Sequence, residues 1–470
     1  MHITIILIFA FFLRLINLDQ SLWLDETIVA KVVQTIPFHL IPFQFSPGDF
    51  HPPLYYLVIS LWSHLFGTSE IALRLPSVLF SLVTGWFTYK IGLLWKNKQL
   101  ALWATAFFLF NPLIVYYSQE ARMYMMATMF LTIALYYFLR IHLDVIPAKA
   151  GIQAGKENYI CPVSLHGMTM LFNLFSALAM FTFYGSAFFI AGMIVVWGIN
   201  TYIKKRKSLD WIPASWGLVF SLLLLSPLLY QQLMNAKVSL VDVKNWSTVL
   251  GKAELKNVLM IFLKFATGRL SWYPKWSYYL VAGIPTAIIW LFVFFGMKKN
   301  KLFAHLLIFP LVFALFISFW APMMMYFRFL YLIPVMGLLL AGMIHKHSQL
   351  FRYIVLFSYC AFSLAYLLLP QFHREDWRSF TQALNPSTRV YMILPSSDPL
   401  AYYRKDIPLF ELRDIKNSSI PEFITVIPYT SEIYGFNYRQ VLQEKGCVKK
   451  SQMQFRGDLS VEEWVCLRNS

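Results

Sequence analysis

The chain opens with "MHITIILIFAFFLRLINLDQSLWLDETIVA" (Met1–Ala30). Residues 3–18 are apolar and carry neither the basic leader nor the small-residue cleavage site of a signal peptide. They read as an uncleaved first membrane helix. Trp23 then marks a membrane interface. Two adjacent acids, Asp25 and Glu26, follow in a chain with few acids.

Composition extends this reading to the whole chain. Of 470 residues, 58% are hydrophobic and only 13% charged, about half the charge of a soluble domain. The mean hydropathy of +0.56 agrees. The fold class is therefore a polytopic α-helical membrane protein. The net charge of +17 does not indicate nucleic acid. Residues 371–470 are nearly balanced at +1, so the excess lies in the oily part, where basic loops report topology.

A spanning helix needs about 20 mostly apolar residues. Eleven stretches qualify: 3–18, 71–94, 99–117, 121–141, 168–183, 185–203, 211–230, 276–297, 302–320, 327–344 and 351–369. Basic clusters follow the second (Lys96, Lys98), sixth (Lys204–Lys207), eighth (Lys298–Lys301) and tenth (His345–His347, Arg352). All follow even-numbered spans, so all fall on one side, cytoplasmic by the positive-inside rule. The N-terminus is then cytoplasmic. The loop 19–70, the loop 231–275 and everything after 369 are extracytoplasmic.

Three regions fall outside this pattern. In the first outer loop, His51-Pro52-Pro53 precedes "LYYLVISLWSHLFG" (Leu54–Gly67), an apolar helix too short to cross, which suits the interface or a re-entrant segment. Residues 145–167 read as a polar cytoplasmic insertion. Residues 370–470 alternate helix ("WRSFTQAL") and strand ("STRVYMILPSS", "FITVIPYTS") signals, which predicts a small extracytoplasmic α/β domain after a membrane domain over 1–369. Cys447 and Cys466 lie in that tail and could pair if it is extracytoplasmic, since sequence does not show their proximity.

The scarce charges can be weighed one by one. Asp25 and Glu26 suit the first turn of a helix, "DETIVAKVV", as cap residues. A catalytic role is compatible with this. Neighbours on a helix diverge by about 100°, so at most one acid points into a site and the other braces it. "YYSQEARMY" (Tyr116–Tyr124) puts Glu120 and Arg122 in the shortest outer loop, held at the mouth of the bundle. Arg74, Lys264, Arg269 and Arg328 also lie at the outer interface. Each alone reads as a snorkelling side chain. Together with His51 and Arg122 they form a set able to surround one anion, and arginine suits phosphate through its planar fork. The sequence contains no Gly-rich phosphate loop, no HExxH and no Cys/His metal cluster.

In order, "LWLDETIVA", "FHPPLYYLVISLWSHLFGTSEIALRLPSVLFSLVTG", "NPLIVYYSQEARMY", "YFRFLYLIPV" and "EDWRS" resemble the GT-C glycosyltransferases that use polyprenyl-phosphate sugars. This group includes bacterial relatives of protein O-mannosyltransferases, the aminoarabinose transferases of lipid A and rhizobial galacturonosyltransferases. The resemblance implies a GT-C fold in a bacterial inner membrane. It implies transfer of a sugar, with inversion, from a polyprenyl-phosphate donor to a lipid, glycan or protein outside the cytoplasm. It makes Asp25 the general base, Glu26 a brace or hydrogen-bonder, and Glu120 the acid of the second outer loop. His51 stands where some members carry a phosphate-binding lysine, and Arg328 matches a basic residue before the tenth span. Of a His-Tyr pair common near the fifth span, only Tyr184 is present. Related enzymes with monophosphate donors often work without metal, so neither metal nor cofactor is expected. A transporter or flippase of a lipid-linked or anionic substrate, another lipid-linked-glycan enzyme and an inactive family member remain as alternatives. Neither the sugar nor the acceptor is legible.

Overall fold

The computed structural model describes residues 2–144, 164–203, 211–344, 349–385 and 388–466. Most of the predicted insertion, and the clusters at 204–207 and 345–347, lie outside the described residues.

The chain starts with α1 (Ile3–Leu15) and α2 (Leu24–Thr35). Short irregular turns lead to α3 (Leu54–Phe66), which begins directly after Pro52-Pro53, as the prolines direct. Next come α4 (Glu70–Trp95), α5 (Lys98–Leu109), α6 (Pro112–Ser118) and α7 (Tyr124–Asp144). The second half holds α8 (Leu165–Thr182), α9 (Ser186–Ile203), α10 (Trp211–Asp242), α11 (Trp246–Leu250) and α12 (Leu255–Thr267). It continues with α13 (Lys275–Lys299), α14 (Lys301–Ile317), α15 (Ile333–Ile344) and α16 (Gln349–Leu368).

Among the described residues, seven helices are long and apolar enough to cross a membrane, and the bent pair α5–α6 makes an eighth span. The shorter apolar helices α1, α9 and α14 occupy the remaining expected spans. Burial sorts the spans into layers. The span at 326–343 is 78% buried, whereas α13 is 22% buried and displays Leu280, Ile284 and Leu291. A helix apolar all round with so much exposed surface faces lipid.

Two spans differ from their expected form. The third is broken rather than straight, with α5 and α6 meeting at 61°. Pro112 lacks an N–H and starts a new helix, and Asn111 caps it by accepting from the amides of Leu113 and Ile114. Gly268 packs against Pro112 with φ +71°, where a Cβ would lie 2.9 Å from the proline side chain. The other departure is α10, expected to end at 230, which continues to Asp242. The helix passes Pro227, and no Gly or Pro falls between Gln231 and Asp242 to stop it. Its extension braces the first loop: Gln232 donates to the carbonyls of Ser46 and His51, and Asn235 to that of Pro47.

After the membrane helices come α17 (Trp377–Gln382), β1 (Val390–Met392), α18 (Asp398–Tyr403) and β2 (Leu409–Glu411). β3 (Phe423–Val426), α19 (Tyr438–Glu444), β4 (Cys447–Gln454) and β5 (Ser460–Cys466) follow. The sheet order is β2-β1-β3-β5-β4. β1 pairs parallel with β2 and β3, while β5 runs antiparallel to β3 and β4. A disulfide joins Cys447 to Cys466 across the β4–β5 hairpin. This unit rests on the first loop. Lys31 reaches Asp398 at 2.8 Å, and the Tyr403 hydroxyl accepts from the Leu22 amide and donates to Glu70.

Candidate active site

The acid pair divides as helix geometry requires. Trp23 caps α2, so Asp25 and Glu26 fall in its first turn and point different ways. Glu26 is fully buried. Arg74 from α4 grips it with Nε to Oε1 at 2.8 Å and Nη2 to Oε2 at 2.6 Å. The Ala121 amide donates to Oε1 at 2.8 Å and the Trp23 amide to Oε2 at 3.5 Å. Glu26 thus ties α2 to α4 and to the loop after α6. Asp25 keeps 32% of its side chain exposed.

Arg74 departs from the expected anion-binding set. Besides Glu26, it donates to the carbonyls of Leu18, Gln20 and Ser21. Those bonds occupy all five N–H groups of a guanidinium and leave none for a phosphate. Lys264 departs likewise. Its ammonium is buried, donating to the Leu270 carbonyl at 2.6 Å and the Tyr278 hydroxyl at 2.9 Å. Burial, helped by the charge of Lys275, lowers its pKa to about 7.

Arg122 is the opposite case. It is buried, yet its contacts with Asp25 are both long, 3.5 Å to the carboxylate and 3.5 Å to the backbone carbonyl. Its Nε has no partner among the described residues. Burial works against its charge, but Asp25 and Asp49 outweigh burial and hold the proton firmly. Arg328 makes one weak contact, to the Pro322 carbonyl at 3.3 Å, and shares with Arg122 the surroundings of Tyr124.

His51 is joined to a residue that the sequence reading passed over. Asp49 Oδ1 lies 3.3 Å from His51 Nδ1, and Tyr56 donates to Oδ2 at 2.7 Å. Burial raises the Asp49 carboxyl, but His51 and Arg122 hold it down at about 2. The signal was visible as "GDFHPP", an acid two residues before the histidine. Tyr184 hydrogen-bonds Gln232 at 2.7 Å, and Gln232 in turn supports the His51 backbone.

Glu120 is buried and also held from an unexpected direction. Arg374, just after the last membrane helix, donates through Nε and Nη2 to Oε1 at 3.0 and 2.8 Å. Arg269 lies 3.8 Å from the same oxygen and also hydrogen-bonds the Tyr116 hydroxyl. Glu120 Oε2 has no partner among the described residues. Neighbouring Glu375 interacts electrostatically with Asp25 and Glu120, and burial raises its pKa. Its Oε2 and the Trp23 indole N–H are likewise buried without partners.

The mouth of the bundle therefore gathers Asp25, Glu120, Arg122, Arg269 and, from the tail, Arg374 and Glu375, with Asp49 in range of Arg122. Buried polar groups are normally satisfied, so the Oε2 atoms of Glu120 and Glu375, the Arg122 Nε and the Trp23 indole N–H, each without a partner among the described residues, suit a polar ligand at one mouth. Beside it an apolar cleft of about 1010 Å³ runs between α13 and α16. Its wall starts at Leu270, next to Arg269, and includes Trp272, Ile288, Phe357 and Phe372. Among the described residues, no group of three or more His, Cys, Asp or Glu side chains is arranged to hold a metal ion.

Parts of this chain are similar to known proteins. Residues 50–151 match the family described as dolichyl-phosphate-mannose-protein mannosyltransferase, a stretch that includes His51, Arg74, Glu120 and Arg122. Over 89 residues the chain is 35% identical to undecaprenyl phosphate-alpha-4-amino-4-deoxy-L-arabinose arabinosyl transferase 1 of Proteus mirabilis (strain HI4320). That match covers 19% of this chain and 16% of the relative. The fold is similar over almost its whole length to ArnT from Cupriavidus metallidurans. Against the structure bound to undecaprenyl phosphate the TM-score is 0.57 at 14% identity, covering 98% of this chain and 97% of the other. The apo structure gives 0.56 with the same coverage. Archaeal oligosaccharyltransferase AglB from Archaeoglobus fulgidus, in complex with an inhibitory peptide and a dolichol-phosphate, gives 0.51 at 11% identity, covering 96% and 73%. The chain is a multi-pass membrane protein with the GT-C glycosyltransferase fold.

Proposed function

We propose that this chain transfers a sugar, with inversion, from a polyprenyl-phosphate donor to an acceptor hydroxyl at the outer face of a bacterial inner membrane, with Asp25 as general base. The acceptor is a lipid, glycan or protein. The observation that carries this reading is one accessible carboxylate, Asp25, beside a mouth of buried polar atoms without partners. The reading fits the carriers named for the similar structures, undecaprenyl phosphate and dolichol-phosphate.

In this scheme Asp25 takes the proton of the acceptor hydroxyl. The acceptor oxygen bonds to the anomeric carbon as the bond from that carbon to the phosphate oxygen breaks. The electron pair leaves with the polyprenyl phosphate. Such a leaving group needs positive charge rather than a strong acid. Arg122 and Arg328 supply it here, with His51 beside them, and no metal or cofactor is invoked. The apolar cleft next to Arg269 suits an isoprenoid or acyl chain. The Cys447–Cys466 disulfide supports an oxidising location for the tail.

The test is transfer by purified Asp25→Asn protein, with an undecaprenyl-phosphate-linked sugar as donor. Activity should vanish while the yield of folded protein stays at the wild-type level. Full activity would remove Asp25 as base. Mass spectrometry of lipid A, glycans and envelope proteins from cells with and without the gene would identify the sugar and acceptor.

A further inference from the structure

We propose that Arg374 is a positioning residue of the reaction centre, so that the domain after the last membrane helix sets the geometry at which Asp25 and Glu120 act. This rests on the function proposed above. Two contacts of its guanidinium and one of its backbone carbonyl carry the inference. Arg374 directs both Nε and Nη2 at a single oxygen of Glu120, at 3.0 and 2.8 Å. A fork that straddled both oxygens would satisfy the whole carboxylate. Converging on Oε1 instead anchors that one oxygen and leaves Oε2 without a partner among the described residues. The guanidinium also stacks 3.6 Å above the Trp23 ring. Trp23 is the cap of α2, two residues before Asp25. One side chain thus touches the mount of each of the two acids.

The third contact anchors Arg374 itself. Arg456, in the turn between β4 and β5, donates to the Arg374 carbonyl at 2.9 Å, and its own carbonyl accepts from the Asp376 amide at 3.4 Å. At Gly457, φ is +78° and an added Cβ would lie 2.7 Å from Glu375 Cα. The hairpin turn is therefore pressed directly onto the segment that carries Arg374. On the other side Arg378 holds the same segment to the first loop, donating to the Asp19 carbonyl at 2.8 Å and Glu70 at 2.6 Å. The sheet domain, the segment and the two acids form one chain of contacts. A shift of about 1 Å at a reacting group is enough to cost on the order of 100-fold in rate.

The experiment compares full-length wild type with Arg374→Gln and Arg374→Lys. Hydrogen exchange is read first, because it needs no substrate. Arg374→Gln should speed exchange at both 18–26 and 118–123 and leave the interiors of α7 and α15 unchanged. Unchanged exchange at those two loops overturns the proposal, as does faster exchange throughout, which reports a general loss of folding. Steady-state transfer is read second, with undecaprenyl-phosphate-4-amino-4-deoxy-L-arabinose as the probe donor. Arg374→Gln should lower kcat about 100-fold with donor KM within about threefold, and Arg374→Lys should recover about tenfold of that loss. A rise in KM alone, or a lysine variant as impaired as glutamine, overturns the positioning role. Absence of turnover by wild type with every polyprenyl-phosphate sugar would instead remove the proposed function, and the exchange data would still decide the role of Arg374.

Discussion

Arg74 Nη2 lies 2.6 Å from Glu26 Oε2 inside the protein, while Asp25, one residue earlier, remains open to the mouth. The two acids therefore fail differently when changed. Glu26→Gln leaves a guanidinium buried with half its ion pair gone. Removing one partner of a buried pair typically costs about 3–5 kcal/mol. The expected result is a sharp fall in folded protein and in the thermal midpoint in detergent, measured before any assay of activity. A Glu26→Gln protein as stable as wild type but inactive would move Glu26 from brace to reactive group.

The two buried arginines near these acids should separate in the same way. Arg74 has its donors occupied, so Arg74→Lys should lower stability and leave donor KM near wild type in whatever protein folds. Arg122 has long contacts and a free Nε, so Arg122→Gln should weaken binding of the lipid phosphate. One lost charge-assisted contact is worth about 1.5–3 kcal/mol, or roughly 10- to 150-fold in affinity. Titrating undecaprenyl phosphate into each variant checks this. Equal loss of affinity in both would return Arg74 to the anion site.

The part of this division that was legible in the sequence came from regular physics. Apolar run lengths and basic loops located the spans, because a bilayer imposes both. Adjacency on a helix separated Asp25 from Glu26 before either had a partner. The partners themselves were not legible. Arg74 looked like a phosphate ligand because a sequence does not reveal the carbonyls of residues 18–21 folding over it. Arg374 stands 254 residues from Glu120, and nothing local to "HREDWRS" signals a return to the mouth. Asp49 was legible in principle, but an acid in a Pro-Gly turn reads first as a turn residue.

Asp49 and His51 should behave as a unit. With Nδ1–H given to Asp49 Oδ1, the imidazole is held in one orientation. Asp49→Asn and His51→Ala should then raise donor KM by similar factors, about tenfold each, and the double variant should be little worse than either. Losses that multiply would show that the two residues act separately. Tyr56→Phe, which removes the other bond to Asp49, should give a smaller effect in the same direction.

Lys264 links its burial to pH. Its folded pKa is about 7, against about 10.4 for an unperturbed lysine. Between these values the unfolded chain carries the proton and the folded chain does not, so stability rises with pH across that window. The slope is at most about 1.4 kcal/mol per pH unit. Below about pH 7 both forms are charged and the full cost of burying the ammonium is borne; above about pH 10 that cost is gone. The thermal midpoint of wild type should therefore climb between pH 7 and 9 relative to Lys264→Met, which has no proton to lose. Because the ammonium faces Leu270 and Tyr278 rather than the mouth, Lys264→Met should leave donor KM unchanged. Parallel midpoints for the two proteins across pH 7–9 would mean that Lys264 is neither buried nor depressed in the folded protein, and would reopen it as a phosphate ligand.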